Sequence, residues 1–104
     1  MRPGIDIVYL PRLPKGETFA RGVLTDEEYG QYLASPDKAE FLGGHYAAKE
    51  AYMKATGRGL GAARFRDLEI RYENGGAPYL VHGDCRYDIS ISHDGDYAVA
   101  VVLV

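Results

Sequence analysis

The sequence is short of cysteine, of long apolar runs and of basic residues in excess, and each shortage excludes something. A single cysteine, Cys85, rules out an internal disulfide framework and a multi-cysteine zinc site. No apolar run approaches the roughly 18 residues of a membrane-spanning helix. The longest, Tyr97–Val104, has the length of a strand. Asp6 falls where a signal peptide would be apolar, so a cytosolic protein is expected, with no membrane partner. The net charge of −3 argues against nucleic acid as the main partner. That charge is unevenly spread. Residues 1–23 set Arg2, Arg12, Lys15 and Arg21 against only Asp6 and Glu17, a small positive region able to meet an acidic partner. Repeats, low-complexity tracts and linkers are all missing. What is there, 104 residues at 46 % hydrophobic and 26 % charged, fits one domain over residues 1–104 that buries about two-thirds of its surface.

The pattern along the chain predicts an α+β fold: a mostly antiparallel sheet packed against one long central helix and a short one. Ile5–Tyr9 alternates and reads as a first strand, with Asp6 facing opposite Ile5 and Ile7. Pro11, Pro14 and Gly16 interrupt any long helix after it. Thr25 and Glu28 form a capping box that opens a short helix to about Leu33, stopped at Ser35-Pro36. The main helix is predicted over 41–56, ended by Gly57. One of its faces carries Phe41, Ala48, Tyr52 and Ala55; the other carries Glu50 and Lys54 beside Gly43 and Ala47. Strands follow at 66–73, 78–81, 87–92 and 97–104, the last two as a hairpin turning at Asp94-Gly95. The order β-α-α-β-β-β-β belongs to an α+β fold.

Three groups of residues carry chemistry, each with two readings. Asp6 in an apolar strand is costly unless paired or metal-bound, and with Glu50 it offers the carboxylate oxygens that a hard cation such as Mg²⁺ takes. Alternatively, Asp6 caps a neighbouring element and Glu50 pairs with Lys54 one turn on. Lys54 followed by Gly57, Arg58, Gly59 and Gly61 can let backbone N–H groups approach a phosphate, or it can be a helix cap and a flexible turn. It is not a Walker A loop, because it leaves a helix where that motif enters one. Ser90, Ser92, His93 and Asp94 do not make a hydrolytic triad, since successive strand residues point to opposite faces. His93 at the strand end is a phosphate or base contact, or a solvated turn histidine. The segment His82-Gly83-Asp84-Cys85 reads as a polar loop.

In combination the motifs are more specific than singly. Gly4-Ile5-Asp6-Ile7-Val8 leads to Arg12 and then to Phe19-x-Arg21-x-x-Leu24-Thr25-x-x-Glu28. Phe41-Leu-x-Gly-x-Tyr46-Ala-Ala-Lys49-Glu50-Ala-x-x-Lys54-Ala precedes the glycines, and Gly76-x-Pro78 and Ser90-Ile91-Ser92-His93-Asp94 with Tyr97-Ala98-Val99-Ala100 close the pattern. In this order, over nearly the whole chain, these blocks resemble the holo-(acyl carrier protein) synthases, the small phosphopantetheinyl transferases of bacterial fatty-acid synthesis.

The resemblance implies a 4′-phosphopantetheinyl transferase-like fold and the transfer of 4′-phosphopantetheine from coenzyme A to a serine of apo-acyl carrier protein, with Mg²⁺. It implies that Asp6 and Glu50 hold the metal and that Lys54 neutralises or protonates the departing phosphate. Coenzyme A contacts fall on His45, Lys49, His93, Gly57, Arg58, Gly59 and Gly61. Arg12 and Arg21 match positions that meet the acidic helix of the carrier protein. The small members are homotrimers with sites at subunit interfaces, in keeping with the apolar C-terminal strand. Three features depart from the family pattern. His45 stands where an arginine is usual, Arg58 adds a charge to the glycine loop, and a shortened stretch between Arg12 and Phe19 trims the carrier-docking helix to a turn. Two rivals remain on the same scaffold: another metal-dependent phosphate-transfer enzyme, and a non-catalytic carrier-protein or nucleotide-binding module.

Overall fold

In the computed structural model, which describes residues 1–57 and 64–104, chain order runs β1 (Pro3–Tyr9), α1 (Glu17–Val23), α2 (Asp26–Ala34), α3 (Lys38–Thr56), β2 (Leu68–Tyr72), β3 (Pro78–His82), β4 (Cys85–Asp94) and β5 (Tyr97–Leu103). Single 3₁₀ turns at Leu10–Arg12 and Phe65–Asp67 join β1 to α1 and lead into β2. The five strands form one antiparallel sheet in the order β1-β5-β4-β3-β2. Helix α3 lies across β1, β5 and β4. This is the α+β arrangement that the sequence predicts.

Local chemistry accounts for the boundaries. Thr25 and Glu28 close the predicted capping box around the start of α2: the Glu28 N–H donates to Thr25 Oγ1 at 3.2 Å, and the Thr25 N–H donates to Glu28 Oε1 at 2.8 Å. Helix α3 begins three residues before the predicted Phe41, because Asp37 accepts from the Glu40 N–H at 3.0 Å and supplies an N-cap. It ends at Gly57, whose φ of +68° is the left-handed C-cap conformation that glycine takes without strain. The β4–β5 turn is Gly95-Asp96, one residue later than predicted: Asp94 still pairs with Tyr97. Only Gly95, its first central residue, has positive φ, as in a type II′ turn. The prolines and glycine after β1 interrupt helix as expected, yet α1 starts directly behind Gly16. The segment between Arg12 and Phe19 therefore leads into a seven-residue helix rather than a bare turn.

The core sits between α3 and the sheet. Ala51, Tyr52, Met53 and Ala55 pack on Leu68, Leu80 and Val102, and Ala47 and Ala48 pack on Val8, Ile70 and Ala100. A third group, Ala20, Val23, Leu24 and Leu42, ties α1 to α3. Burial therefore runs round most of α3, well beyond the single face predicted, because α1 and α2 cover the side away from the sheet. The backbones of β1 and α3 nearly touch at Gly4, where a Cβ would collide with the Ala51 carbonyl oxygen. That crossing sets the distance between the middle of β1 and the last turns of α3.

Candidate functional site

Strand alternation decides what β1 presents to α3. Gly4 and Val8 are buried against the helix and Asp6 points to the same side, while Ile5 and Ile7 face outward and are 63 % and 64 % exposed. On α3, Tyr46 and Glu50 lie one turn apart and Lys54 one turn further. The elements meet at an open cavity of about 430 Å³, lined by Asp6, Tyr9, Arg12, Phe19, Tyr46 and Glu50 among others.

Lys54 chooses Asp6. Its Nζ lies 2.7 Å from Asp6 Oδ1 and 3.2 Å from the Ile5 carbonyl oxygen. No Glu50–Lys54 ion pair forms among the described residues, so the alternative of a simple pair along the helix does not hold. Desolvation first, and the neighbouring Asp6 second, push the Glu50 carboxyl above its ordinary pKa, while Lys54 and the Tyr46 hydroxyl pull it back. Burial, then the Glu50 and Asp6 charges, raise the Tyr46 phenol. Two carboxylates close enough to repel, half-buried, beside an ammonium: this is an arrangement that gains from a cation.

Other expected site residues lie elsewhere. His45 and His93 line a second cavity of about 360 Å³ with Glu40, Phe41, Gly44 and Ile91, and it shares no lining residue with the first. His93 Nε2 donates to the Glu40 carbonyl oxygen at 3.1 Å. His45 is 3 % exposed and stacks on Phe41 with ring centroids 4.0 Å apart. Its Nδ1 donates to the Phe41 carbonyl oxygen at 2.8 Å, burial lowers its pKa, and its Nε2 has no partner among the described residues. The reading of Lys49 as a coenzyme A contact is corrected. Fully buried, its Nζ donates to Glu28 Oε1 at 2.6 Å and to the Val23 carbonyl oxygen at 2.7 Å, and no atom is left to reach coenzyme A. Glu28 Oε2 accepts from the Ile70 N–H at 2.7 Å, which ties α2, α3 and β2 together. Arg12 stands over the Tyr9 ring at the cavity rim, and Arg21 is held by Glu17 at 2.6 Å and by the Tyr29 ring. Gly57 caps α3; Arg58, Gly59 and Gly61 lie outside the described residues.

Tyr46 and Glu28 were not among the expected site and core residues. The signal for Tyr46 is its place one turn before Glu50. Glu28 gave no such signal, since its capping role hides its second partner.

The model of one protein family, the 4′-phosphopantetheinyl transferase superfamily, matches residues 2–102. The chain belongs to that superfamily. Within it, a holo-(acyl-carrier-protein) synthase of Geobacillus sp. (strain WCH70) is 44 % identical over 110 residues, 97 % of this chain and 92 % of the relative. The crystal structure of the Bacillus anthracis holo-(acyl-carrier-protein) synthase in complex with coenzyme A (3′,5′-ADP) superposes with a TM-score of 0.87 at 37 % identity, covering 97 % of this chain and 92 % of that one. The Helicobacter pylori synthase in complex with coenzyme A gives a TM-score of 0.84 at 30 % identity, with 97 % of both chains covered. The superfamily fold thus spans nearly all of this chain, and Asp6, Glu50 and Lys54 lie inside the matched region.

Proposed function

We propose that this protein is a holo-(acyl-carrier-protein) synthase. It transfers 4′-phosphopantetheine from coenzyme A to a serine of apo-acyl carrier protein and releases 3′,5′-ADP, in fatty-acid biosynthesis. One observation carries the reading: in a chain of this superfamily, Asp6 and Glu50 line one open cavity, and Lys54 pairs with Asp6.

The donor set fits Mg²⁺. That ion takes one or two protein carboxylates and fills its shell with water and phosphate oxygens. Asp6 and Glu50 supply two, and no cluster of three or more possible ligands exists among the described residues. When bound, Mg²⁺ neutralises charge that grows on the pyrophosphate. In the transfer the serine oxygen forms a new bond to phosphorus as the pyrophosphate bond breaks, and the nucleotide leaves as 3′,5′-ADP. The serine proton passes to Glu50 or to water. Lys54, with more than half its side chain exposed, reaches out to neutralise or protonate the departing phosphate. Arg12 at the rim, with Arg21 on α1, offers positive charge to the acidic carrier protein.

The site is completed by a second copy of the chain. His93 lines cavities other than the one that holds Asp6 and Glu50, and we read a coenzyme A molecule that uses both as held between copies. Ile5, Ile7, Tyr97 and Leu103 are exposed on the outer side of β1 and β5 and give that copy an apolar face to cover. We read the working unit as a homotrimer of single-domain chains in the cytosol. No helix among the described residues is long and apolar enough to cross a membrane. Intact-mass measurement of apo-acyl carrier protein incubated with this protein, coenzyme A and Mg²⁺ tests the activity. Gain of one phosphopantetheine is expected, and an unchanged mass after long incubation rejects it. Light scattering tests the assembly, which a monomer mass with full activity would refute.

A further inference from the structure

We propose that Tyr9 is a positioning residue: its ring, braced by Tyr97, holds the Arg12 guanidinium at the rim of the Asp6–Glu50 cavity for an acidic group of the carrier protein. The inference rests on the reading of Arg12 as a carrier-protein contact. Among the described residues that line this cavity, Arg12 is the one cation. It is exposed, and the described residues give it no ion pair. Its guanidinium lies 5.5 Å from the centroid of the Tyr9 ring, within the range of a cation–π attraction. Strand pairing sets Tyr97 opposite Tyr9, and the two rings stand with centroids 5.1 Å apart.

The backbone beneath Arg12 is fixed as well. Pro11 has a locked φ, and Leu10–Arg12 form a single 3₁₀ turn. The Leu10 N–H donates to the Asp96 carbonyl oxygen at 2.7 Å, which closes the end of the β1–β5 pair. The Leu10 side chain fills the space that Gly43 leaves on α3, where a Cβ would collide with it. The freedom that remains belongs to the long arginine side chain, and the Tyr9 ring restricts it. An arginine ordered only on binding loses rotamer entropy at that moment; one already stacked loses less. Arg21 is the contrast. It stacks on Tyr29, but its Nε lies 2.6 Å from Glu17 Oε1, so its charge is answered within the chain before any partner arrives.

The test measures the affinity of the full chain for apo-acyl carrier protein by calorimetry, and the Arg12 side-chain protons by nuclear magnetic resonance. In the wild type, the ring current of Tyr9 should shift the Arg12 δ protons upfield, and Tyr9→Leu should return them to their ordinary position. Tyr9→Leu is expected to weaken carrier binding roughly two- to fivefold, the size of a cation–π attraction at an exposed site. Tyr9→Phe keeps the ring and should keep the affinity. In an Arg12→Ala background, Tyr9→Leu should cost nothing further, because Tyr9 acts through the guanidinium. The cycle cancels any effect of Tyr9→Leu on assembly, since both backgrounds share it. An equal loss with and without Arg12 overturns the inference, as does wild-type affinity in Tyr9→Leu or an Arg12 spectrum that the change leaves unaltered. Each of those results leaves Arg12 itself as a carrier contact. Equal carrier affinity in the wild type and Arg12→Ala overturns the docking reading of Arg12, and the role of Tyr9 with it.

Discussion

Two lysines five residues apart on α3 each bind a carboxylate, and the helix puts them to opposite uses. Lys49 and Glu28 are both completely buried, 2.6 Å apart, with every remaining polar contact taken by backbone groups of α1 and β2 and by the Thr25 N–H. Lys54 and Asp6 are 2.7 Å apart, but the lysine is 55 % exposed and Asp6 lines an open cavity. The first pair is closed on itself and acts as a bolt through four elements. The second keeps a charged end free for a ligand. Distance does not separate them; the surroundings do.

The sharpest way to break the comparison is Lys49→Met. Removing one member of a buried pair strands the other charge, at a cost of about 3–5 kcal/mol, a large part of a small domain's total stability. Urea unfolding should show the loss, whereas a drop under 1 kcal/mol would mean that Glu28 finds another partner. Lys54→Met should do the reverse. Transfer should fall roughly a hundredfold or more, the scale of lost proton-transfer or charge assistance, while stability shifts by no more than about 1 kcal/mol. Steady-state kinetics and a melting curve on the same preparation separate the two effects. The double change Glu28→Gln with Lys49→Met should recover most of the stability lost in Lys49→Met, because no buried charge remains. Recovery of less than half would show that the pair does more than neutralise itself.

The smallest effect concerns His45 and pH. Burial lowers the His45 pKa below the ordinary value of a histidine, so the unfolded chain binds the proton more readily than the folded one. Stability is therefore fully present above that value and declines as pH falls below it. Unfolding followed between pH 7 and 5 should show the decline, and His45→Leu should flatten it; an unaltered slope would assign the effect to other groups.

The contrast also shows what a sequence can disclose. The capping box at Thr25 and Glu28 was legible because it is local, three residues across. The second duty of Glu28, to Lys49 and to Ile70, was not, because it depends on partners 21 and 42 positions away. The alternation in β1 placed Asp6 opposite Ile5 and Ile7, but periodicity alone does not say which face meets the helix. Spacing suggested that Glu50 pairs with Lys54. The β1 crossing brings Asp6 within reach of that lysine instead. Helix α1 was hidden because prolines and a glycine just before it read as a continuing turn. The order of motifs disclosed the family, while the surroundings of Lys49 and His45 were decided by tertiary packing.

The crossing at Gly4 works as a spacer of zero length. Because a Cβ there would strike the Ala51 carbonyl carbon and oxygen and crowd the Ala55 methyl, any other residue must lift β1 from α3. Asp6 sits two residues along the same strand and would be carried away from Lys54 and Glu50 with it. The gauge of the site is thus set by the one side chain that is missing, at a position with no charge, no hydrogen-bonding side chain and no place in the chemistry.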